Sequence, residues 1–462
     1  MVRTRIAPSP TGEDLHIGNL YTALFNWAYA RQNKGGFIVR IEDTDQKRRI
    51  EKGEERILKT LADFGLTPDE SPTVGGPYKP YRQSERLEIY KKYAQELVGK
   101  GAAYKCCCTP ERLAKLRESQ QKQKKPAKYD KHCCRQDISN KPYVIRLNVP
   151  EGRDVSFEDI VRGTITFNTN DIDDQILIKS DGFPTYHMAV VVDDYLMKIS
   201  HVIRGEEWIS STPKHILLYE AFGWDAPIFT HLPILRNPDR SKLSKRRNPV
   251  WASWYLEQGF LPEAVLNYLA LMGWSHPDEK ETFSLQEFVE TLDFKRISSS
   301  GPVFDVKKLE WMSGEYIRRL KTKDLGLKLF EFFQGKYSKD LVENTVPLIQ
   351  ERIKTLKEYD AYCSFFIKRP KEYDMDISKH KELFNKIYRE LEKLDADPQA
   401  GGWKAEKIGE VLMPIAKESG LSNSKFFMLL RVAITGRKIT PPLNESMEIL
   451  GKEETLSRLK LV

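Results

Sequence analysis

The sequence predicts an α/β fold that contains a doubly wound parallel sheet and is followed by a helical C-terminal third. A short strand at residues 4–7 leads through a turn rich in proline (8–12) into a helix whose apolar residues recur at helical spacing from Ile17. A glycine pair ends that helix, and residues 37–41 form a second strand. Because such a crossover is right-handed, the two strands are expected to be parallel. A ligand is expected where the first strand meets the helix.

The remaining elements follow from the same patterns. The apolar run 188–192 is expected to re-enter the parallel sheet, and a further strand is expected to begin at His201. Beyond Trp251 the chain is predicted to be helical, with amphipathic segments rich in Lys and Glu. Three runs between these regions are expected to be antiparallel strands: 143–147, 164–167 and 176–178.

The bulk composition is compatible with an enzyme that handles RNA. The 462 residues suffice for roughly three domains. A net charge of +8 favours a polyanionic partner, because basic surface attracts phosphate backbones, although a charged surface also serves solubility. No signal peptide and no apolar run long enough for a membrane span is found, so a cytoplasmic protein without membrane contact is expected.

The first helix lacks both common nucleotide-binding fingerprints, the G-x-G-x-x-G turn and the G-x-x-x-x-G-K-[ST] loop. His16 and Gly18 stand at its N-terminus instead. Free backbone N–H groups there favour an anion, and a residue without Cβ allows a flat base to approach the backbone. The alternative is that His16 is only a helix cap or a packed ring.

Two arginines are expected at one edge of the sheet, since Arg5 lies on the first strand and Arg204 at the end of the strand that begins at His201. A planar guanidinium suits a carboxylate better than an ammonium group does. Either arginine alone would be explained by a salt bridge to Glu42 or Asp43. Two at one crevice favour an acidic substrate.

Several tracts resemble signatures of one enzyme family. His16-Ile-Gly-Asn resembles the HIGH signature and Lys242-Leu-Ser-Lys-Arg the KMSKS loop of class I aminoacyl-tRNA synthetases. Pro8-Ser-Pro-Thr-Gly, Arg40-Ile-Glu-Asp-Thr-Asp and Tyr81-Arg-Gln-Ser-Glu-Arg resemble the glutamyl-tRNA synthetase family in particular. The resemblance implies a split catalytic domain (1–95 and 185–240), an inserted α+β domain for the tRNA acceptor end (96–184), a stem-contact region (241–318) and an all-α anticodon-binding domain (319–462).

The resemblance also implies roles for individual residues. Catalysis is assigned to His16, Lys242 and Lys245. The ATP site comprises His16, Gly18, Asn19, Glu207, Leu235 and Lys245, and the glutamate site comprises Arg5, Ser9, Glu42, Tyr186 and Arg204. At Val190 the chain departs from the family, which usually has asparagine there, so a donor to the amino acid is lost.

Five of the six cysteines lie in two short groups. In a reducing compartment disulfides are not expected, and Cys106, Cys108, Cys133 and Cys134 offer enough thiols for one tetrahedral zinc, with His132 as an alternative ligand. Some family members carry zinc at the matching place, but Arg135 replaces their final histidine. A metal-free knob is the other interpretation.

The implied function is that of a monomeric glutamate–tRNA ligase, which uses ATP with Mg²⁺ to attach L-glutamate to tRNA(Glu). Arg352 resembles an arginine, on a helix of the anticodon domain, that reads the third anticodon base in discriminating family members; alternatively it is a surface residue. Three other functions stay open: an enzyme that also charges tRNA(Gln), a non-catalytic tRNA-binding paralogue, and a nucleotidyltransferase that acts without tRNA.

Overall fold

A computed structural model of the chain describes residues 1–136, 138, 142–243, 249–395 and 402–461. It contains two compact units, of which the first comprises Met1–Tyr255 with Val265–Val306 and the second comprises Leu256–Ala264 with Lys307–Val462. The finer division into four domains stays a prediction. Within the described ranges, no helix has the length and apolar content that a membrane span needs.

The first unit holds all the strands of the described chain. They are β1 (Arg3–Ile6), β2 (Gly36–Val39), β3 (Ala103–Cys106), β4 (Val144–Leu147), β5 (Asp154–Asp159), β6 (Gly163–Asn168), β7 (Ile176–Ile178), β8 (His201–Gly205) and β9 (Ile228–Leu232). As predicted, β1 and β2 pair in parallel, and a strand, β8, begins at His201. The structure adds β9, which pairs in parallel with β8. β1 also lies beside β8, because the Ser200 N–H donates to the Arg3 carbonyl at 3.0 Å. The carboxyl ends of β1, β2 and β8 therefore share one edge.

The predicted antiparallel strands are confirmed. β4 lies between β3 and β7, and β5 pairs antiparallel with β6. β5 also meets β9 in parallel, so the four-stranded sheet has the order β6-β5-β9-β8.

Between residues 17 and 291, the described chain forms nine α-helices. They are α1 (Ile17–Gln32), α2 (Gly53–Asp63), α3 (Leu87–Gly99), α4 (Pro110–Lys122), α5 (Tyr186–Leu196), α6 (Thr212–Phe222), α7 (Ala252–Glu257), α8 (Pro262–Ala270) and α9 (Leu285–Thr291). Helix α1 connects β1 to β2, which confirms the predicted strand, helix and strand.

The prediction that residues 188–192 form a strand is wrong, because these residues lie inside α5. Each of the five side chains is at most 1% exposed. A helix that is covered on all sides has no polar stripe, so its sequence lacks helical periodicity and resembles a buried strand.

The second unit is all-helical over its described residues, in agreement with the prediction. Its helices are α10 (Val306–Arg319), α11 (Thr322–Phe332), α12 (Lys339–Ile349), α13 (Glu358–Cys363), α14 (Lys381–Glu392), α15 (Ala405–Glu418), α16 (Asn423–Thr435), α17 (Leu443–Leu450) and α18 (Lys452–Lys460). Two apolar clusters stabilise it, one around Leu329 and Tyr359 and the other around Trp403 and Leu429. The buried Trp403 indole donates to the Met447 carbonyl at 2.9 Å, which fixes α17 against the start of α15.

Candidate active site

A cavity of about 620 Å³ opens at the shared carboxyl edge of β1, β2 and β8. Lys242, which is expected to act in catalysis, lines it together with ten residues that are expected to bind ATP or glutamate: Arg5, Ser9, His16, Gly18, Asn19, Glu42, Tyr186, Arg204, Glu207 and Leu235. The structure thus brings together residues that are up to 237 positions apart, from Arg5 to Lys242. The remaining predicted residue, Lys245, lies outside the described residues.

The N-terminus of α1 forms one wall of this cavity. His16 caps the helix, and its Nδ1 accepts from the Gly18 N–H at 3.0 Å. A Cβ on Gly18 would lie 3.2 Å from that same nitrogen, which is closer than side chains normally approach. The ring stands edge-on to Trp251 with centroids 6.4 Å apart. The cap therefore explains the glycine two residues after the histidine, and it orients the imidazole beside the helix dipole.

Arg5 lies on β1, but its charge is already balanced. Its Nε lies 3.2 Å from both carboxylate oxygens of Asp194, which is on α5, and the Arg40 Nη1 lies 2.8 Å from the same carboxylate. Burial alone would raise the pKa of Asp194, yet the two guanidinium groups hold it below its ordinary value. The ion pair that accounts for Arg5 involves neither Glu42 nor Asp43, the partners considered from sequence.

Arg204, at the end of β8, directs its hydrogen bonds to groups without charge. Its Nε donates to His231 Nε2 at 3.1 Å and its Nη2 to Thr212 Oγ1 at 2.8 Å. Its Nη1 donates to the Tyr186 hydroxyl at 3.2 Å and lies 3.4 Å from His215 Nδ1. Only 5% of the residue is exposed, and no described carboxylate forms an ion pair with it. Burial accordingly lowers the pKa of Arg204, since desolvation disfavours the charged form.

Glu42 follows β2 and lines the same cavity. Its Oε1 lies 3.4 Å from Arg40 Nη2, and its side chain is 12% exposed. Burial raises the pKa of Glu42 to about 7, against the opposing effect of Arg40 and Arg5. A carboxylate in this state gains from a cationic ligand, because the cation restores its preference for the ionised form.

The opposite rim of the cavity carries Glu207 and Lys242. The Lys242 Nζ lies 3.1 Å from Glu207 Oε1, and both side chains are more than a third exposed. Leu235 is buried beneath them, and its carbonyl accepts from the Leu243 N–H at 3.0 Å. This rim therefore offers an apolar surface next to an exchangeable ion pair.

The thiols of Cys106, Cys108 and Cys133 come together at the end of β3, with all three sulfur atoms within 4.8 Å of one another. Cys134 does not join them, since its sulfur lies 3.6 Å from Asn148 Oδ1. His132 is also absent from the group. The Tyr129 hydroxyl stands against the cluster instead, at 3.3 Å from the Cys106 sulfur and 3.2 Å from that of Cys108.

In the second unit, Arg352 occupies a turn after α12 and not a helix, contrary to the expectation. Helix α12 ends at Ile349, three residues before Arg352. The Nη1 of Arg352 donates to the carbonyl of Thr440, which lies in a loop far along the sequence, at 3.1 Å. Arg431 of α16 lies near enough for burial and the charge of Arg352 to lower its pKa together. The buried Nε of Arg431 has no hydrogen-bond partner among the described residues.

Comparison with known proteins decides between the possible families. The profile described as "tRNA synthetases class I (E and Q), catalytic domain" matches residues 1–311, and that described as "Anticodon binding domain" matches residues 315–462. This chain belongs to the class I aminoacyl-tRNA synthetases of the glutamate and glutamine group. The fold class expected for this synthetase, and the resemblance that predicted it, are confirmed.

Relatives of the synthetase span its whole length. A glutamate–tRNA ligase of Acidothermus cellulolyticus is 45% identical over 481 aligned residues, which cover 99% of this chain and 95% of the relative. One from Stutzerimonas stutzeri is 43% identical and covers 99% and 94%. A solved glutamate tRNA ligase from Elizabethkingia meningosepticum, in complex with its amino acid, superposes with a TM-score of 0.85 at 36% identity and covers 100% and 98%. These relatives do not favour a non-catalytic paralogue.

Several groups around the synthetase's cavity escaped the sequence analysis. Asp159, Asp194, His215 and His231 are buried and contact the two arginines directly or through one partner. No motif marks them, because isolated acidic and histidine residues usually lie at the surface or serve as caps. The one available signal is the pair Asp193-Asp194 inside an apolar run, since paired carboxylates are rarely buried without a cation.

Proposed function

We propose that this synthetase activates L-glutamate with ATP, forms glutamyl-adenylate and pyrophosphate, and transfers glutamate to the 3′-terminal adenosine of tRNA(Glu). One observation carries the choice of amino acid. Arg204 is a buried guanidinium that lines the cavity without an ion-pair partner among the described carboxylates. A buried charge without a partner costs several kcal/mol, so a ligand carboxylate would repay that cost on binding.

The remaining charges of the cavity fit the other groups of glutamate. Arg204 and Tyr186 would hold the side-chain carboxylate, and Arg5, whose charge Asp194 largely balances, would line the pocket beside them. Glu42 would face the ammonium group. Ser9 is exposed at the rim, where it can donate to the substrate. Val190 is buried and does not line the cavity, so the missing asparagine leaves the side-chain carboxylate to the arginines and the tyrosine.

ATP would occupy the half of the cavity between α1 and the rim. Gly18 and Asn19 line this half of the cavity at the N-terminus of α1, where the helix dipole favours phosphate, and Leu235 offers an apolar surface to the adenine. Glu207 releases Lys242 when a phosphate competes for the ammonium group. His16, Lys242 and Lys245 would stabilise the charge that develops on the departing pyrophosphate, together with Mg²⁺.

The direct test is aminoacylation of total tRNA with radiolabelled glutamate or glutamine. We expect charging with glutamate and little with glutamine, whereas failure with both would refute the assignment. Arg204→Lys should raise the KM for glutamate by about tenfold or more, because lysine cannot reproduce the guanidinium fork. Arg146→Lys is the matched control, since Arg146 is equally buried but lies outside the cavity. An unchanged KM in Arg204→Lys would move the carboxylate site elsewhere.

The choice between tRNA(Glu) and tRNA(Gln) is a separate question, and the pair Arg352 and Arg431 bears on it. Two guanidinium groups close enough to interact, of which that of Arg352 already donates to a backbone carbonyl, suit recognition of a base carbonyl. We propose that Arg352 reads the third anticodon base and confines the enzyme to tRNA(Glu). Arg352→Gln should then admit tRNA(Gln), and the wrong base should cost about 1 to 3 kcal/mol in the wild type. Equal charging of both tRNAs by the wild type would assign dual specificity.

We also propose that zinc binds the cysteine cluster, with Tyr129 in place of Cys134 as the fourth ligand. Three sulfur atoms with a hydroxyl against them supply the four donors that a tetrahedral zinc requires. The metal would stabilise the fold of the inserted segment and take no part in the reaction.

Finally, we propose that the enzyme is cytoplasmic and works as a monomer. Sedimentation in the presence and absence of tRNA would test the monomeric state.

A further inference from the structure

The two arginines of the cavity are held in opposite ways. Arg5 contacts a carboxylate directly, since Asp194 lies 3.2 Å away, and that contact cancels most of its charge. Arg204 is also bonded at Nε, Nη1 and Nη2, but each acceptor is a ring nitrogen or a hydroxyl. The guanidinium of Arg204 is therefore fixed in orientation while its charge is left uncompensated.

A carboxylate does stand behind Arg204, separated from it by one imidazole. The Oδ2 of Asp159 accepts from the His231 backbone N–H at 2.9 Å and lies 2.7 Å from His231 Nδ1. That contact places the ring proton on Nδ1, so Nε2 carries the lone pair that accepts from Arg204 Nε at 3.1 Å. Asp159, fixed in turn by the N–H groups of Val161 and Arg162 at 3.0 Å each, thus selects the tautomer that can hold Arg204.

The other acceptors are uncharged as well. Because Arg204 Nη1 can only donate, His215 Nδ1 must accept, so the neutral ring of His215 carries its proton on Nε2 and donates it to His187 Nδ1 at 3.0 Å. Burial lowers the pKa of His187 to about 4 and that of His215 well below its ordinary value. Both rings are therefore neutral acceptors at physiological pH.

We infer that His231, oriented by Asp159, is a positioning residue that fixes Arg204 without neutralising it, and that this arrangement sets the preference for glutamate over glutamine. The inference rests on the proposed glutamate site. A carboxylate in direct contact with Arg204 would satisfy its charge before substrate binds. The imidazole supplies the hydrogen bond and keeps the carboxylate one residue away. Glutamate then compensates the charge, whereas the amide of glutamine leaves it unpaired, which sites of this kind reject strongly.

Steady-state aminoacylation with L-glutamate and L-glutamine tests the positioning role. His231→Leu should raise the KM for glutamate by about tenfold or more, with kcat and the KM for ATP changed by less than about twofold. His231→Gln retains a neutral acceptor and should recover part of the loss. His276→Leu is the control, because His276 is equally buried and lies 3.3 Å from the Glu287 carboxylate outside the cavity. An unchanged KM in both His231 variants would overturn the inference.

A second pair of variants tests the charge directly and does not depend on His231. Thr212 accepts from Arg204 Nη2 and is fully buried. Thr212→Asp and Thr212→Asn differ only in charge, and aspartate is acceptable at the first position of α6. The aspartate variant should have a ratio of kcat/KM for glutamate over glutamine that is about tenfold lower than that of the asparagine variant. Equal ratios would overturn the claim that neutrality determines specificity. If the KM for glutamate is also unchanged in Arg204→Lys, the proposed glutamate site itself is refuted. If that KM is raised in Arg204→Lys, the glutamate site stands and only the inference about neutrality is refuted.

Discussion

Replacing Glu42 with glutamine should stabilise the protein at alkaline pH and abolish glutamate binding. Glu42 is nearly buried, and its pKa is raised from 4.5 to about 7 because desolvation outweighs the attraction of Arg40 and Arg5. Ionisation of this carboxyl therefore destabilises the folded state of the free enzyme. A neutral amide of the same shape removes that penalty, but it offers the ammonium group of the substrate no charge.

The magnitude and sign follow from the two pKa values. Below about pH 4.5, Glu42 is protonated in the folded and unfolded states alike, so its pKa does not affect stability. Between 4.5 and about 7, the unfolded chain loses this proton while the folded chain retains it, so the free energy of unfolding falls as pH rises. At about 1.36 kcal/mol for each pH unit, the full penalty is about 3 kcal/mol and is complete above about pH 7.

Thermal unfolding of wild type and Glu42→Gln at about pH 5 and about pH 8 measures this effect. The variant should gain several degrees at the higher pH and little at the lower one. Glu54→Gln is a control of opposite sign, because the Glu54 carboxylate accepts from Arg82 at 2.8 and 3.0 Å and the variant would weaken that ion pair. A gain in Glu42→Gln that is the same at both pH values, or no gain at all, would refute the reasoning.

Three further changes test other parts of the structure. Lys245→Ala should slow aminoacylation by orders of magnitude with nearly unchanged tRNA binding, since the predicted contact is made mainly in the transition state; an equal loss in both would contradict that role. Protein purified without chelator should contain about one zinc per chain, and either Cys106→Ser or Tyr129→Phe should reduce that amount while Cys134→Ser does not. Metal-free protein with unaltered stability would favour the interpretation that the cysteine cluster binds no metal. Asp194→Asn leaves the buried guanidinium of Arg5 without an ion-pair partner among the described residues, although Arg40 keeps Asp193 and Glu42, and should cost about 3 to 5 kcal/mol. Because its pKa is lowered in the folded state, the stability from Asp194 is present at neutral pH and lost as pH falls, so wild type and variant should converge in acid; a difference that persists there would be contrary to this account.

The sequence predicted those parts of the fold that local patterns specify. The apolar spacing of α1 and the turn before it determined the first crossover, and the order of the tracts around His16 and Lys242 carried the family resemblance. The helical second unit followed from amphipathic periodicity. All of these signals lie within windows of a few tens of residues, where the chain's own geometry decides which side chains are neighbours.

The surroundings of the arginines could not be predicted, because they depend on pairing between distant segments. His231 contacts Arg204 because β9 pairs with β8 in a register that places the two residues side by side. Asp159 reaches His231 from β5, whose single register point with β9 pairs Asp159 with Phe229. A shift of one residue in either pairing would turn these side chains to the opposite face of the sheet. The choice of three thiols among five has the same origin, since strand β3 and the loop around Cys133 meet only in the folded structure.

Helix α5 connects the error in the fold prediction to the chemistry of the site. The apolar run that was mistaken for a strand is flanked by Tyr186 at the N-terminus of the helix and by Asp193 and Asp194 near its C-terminus. Tyr186 accepts from Arg204, whereas Asp194 forms the ion pair with Arg5. One helix therefore supplies a neutral partner to one arginine and a charged partner to the other. Its buried apolar surface keeps both contacts out of water, where the difference between a hydroxyl and a carboxylate has the largest electrostatic effect. The proposed selectivity for an acidic substrate thus depends on the burial of α5 as well as on the two arginines.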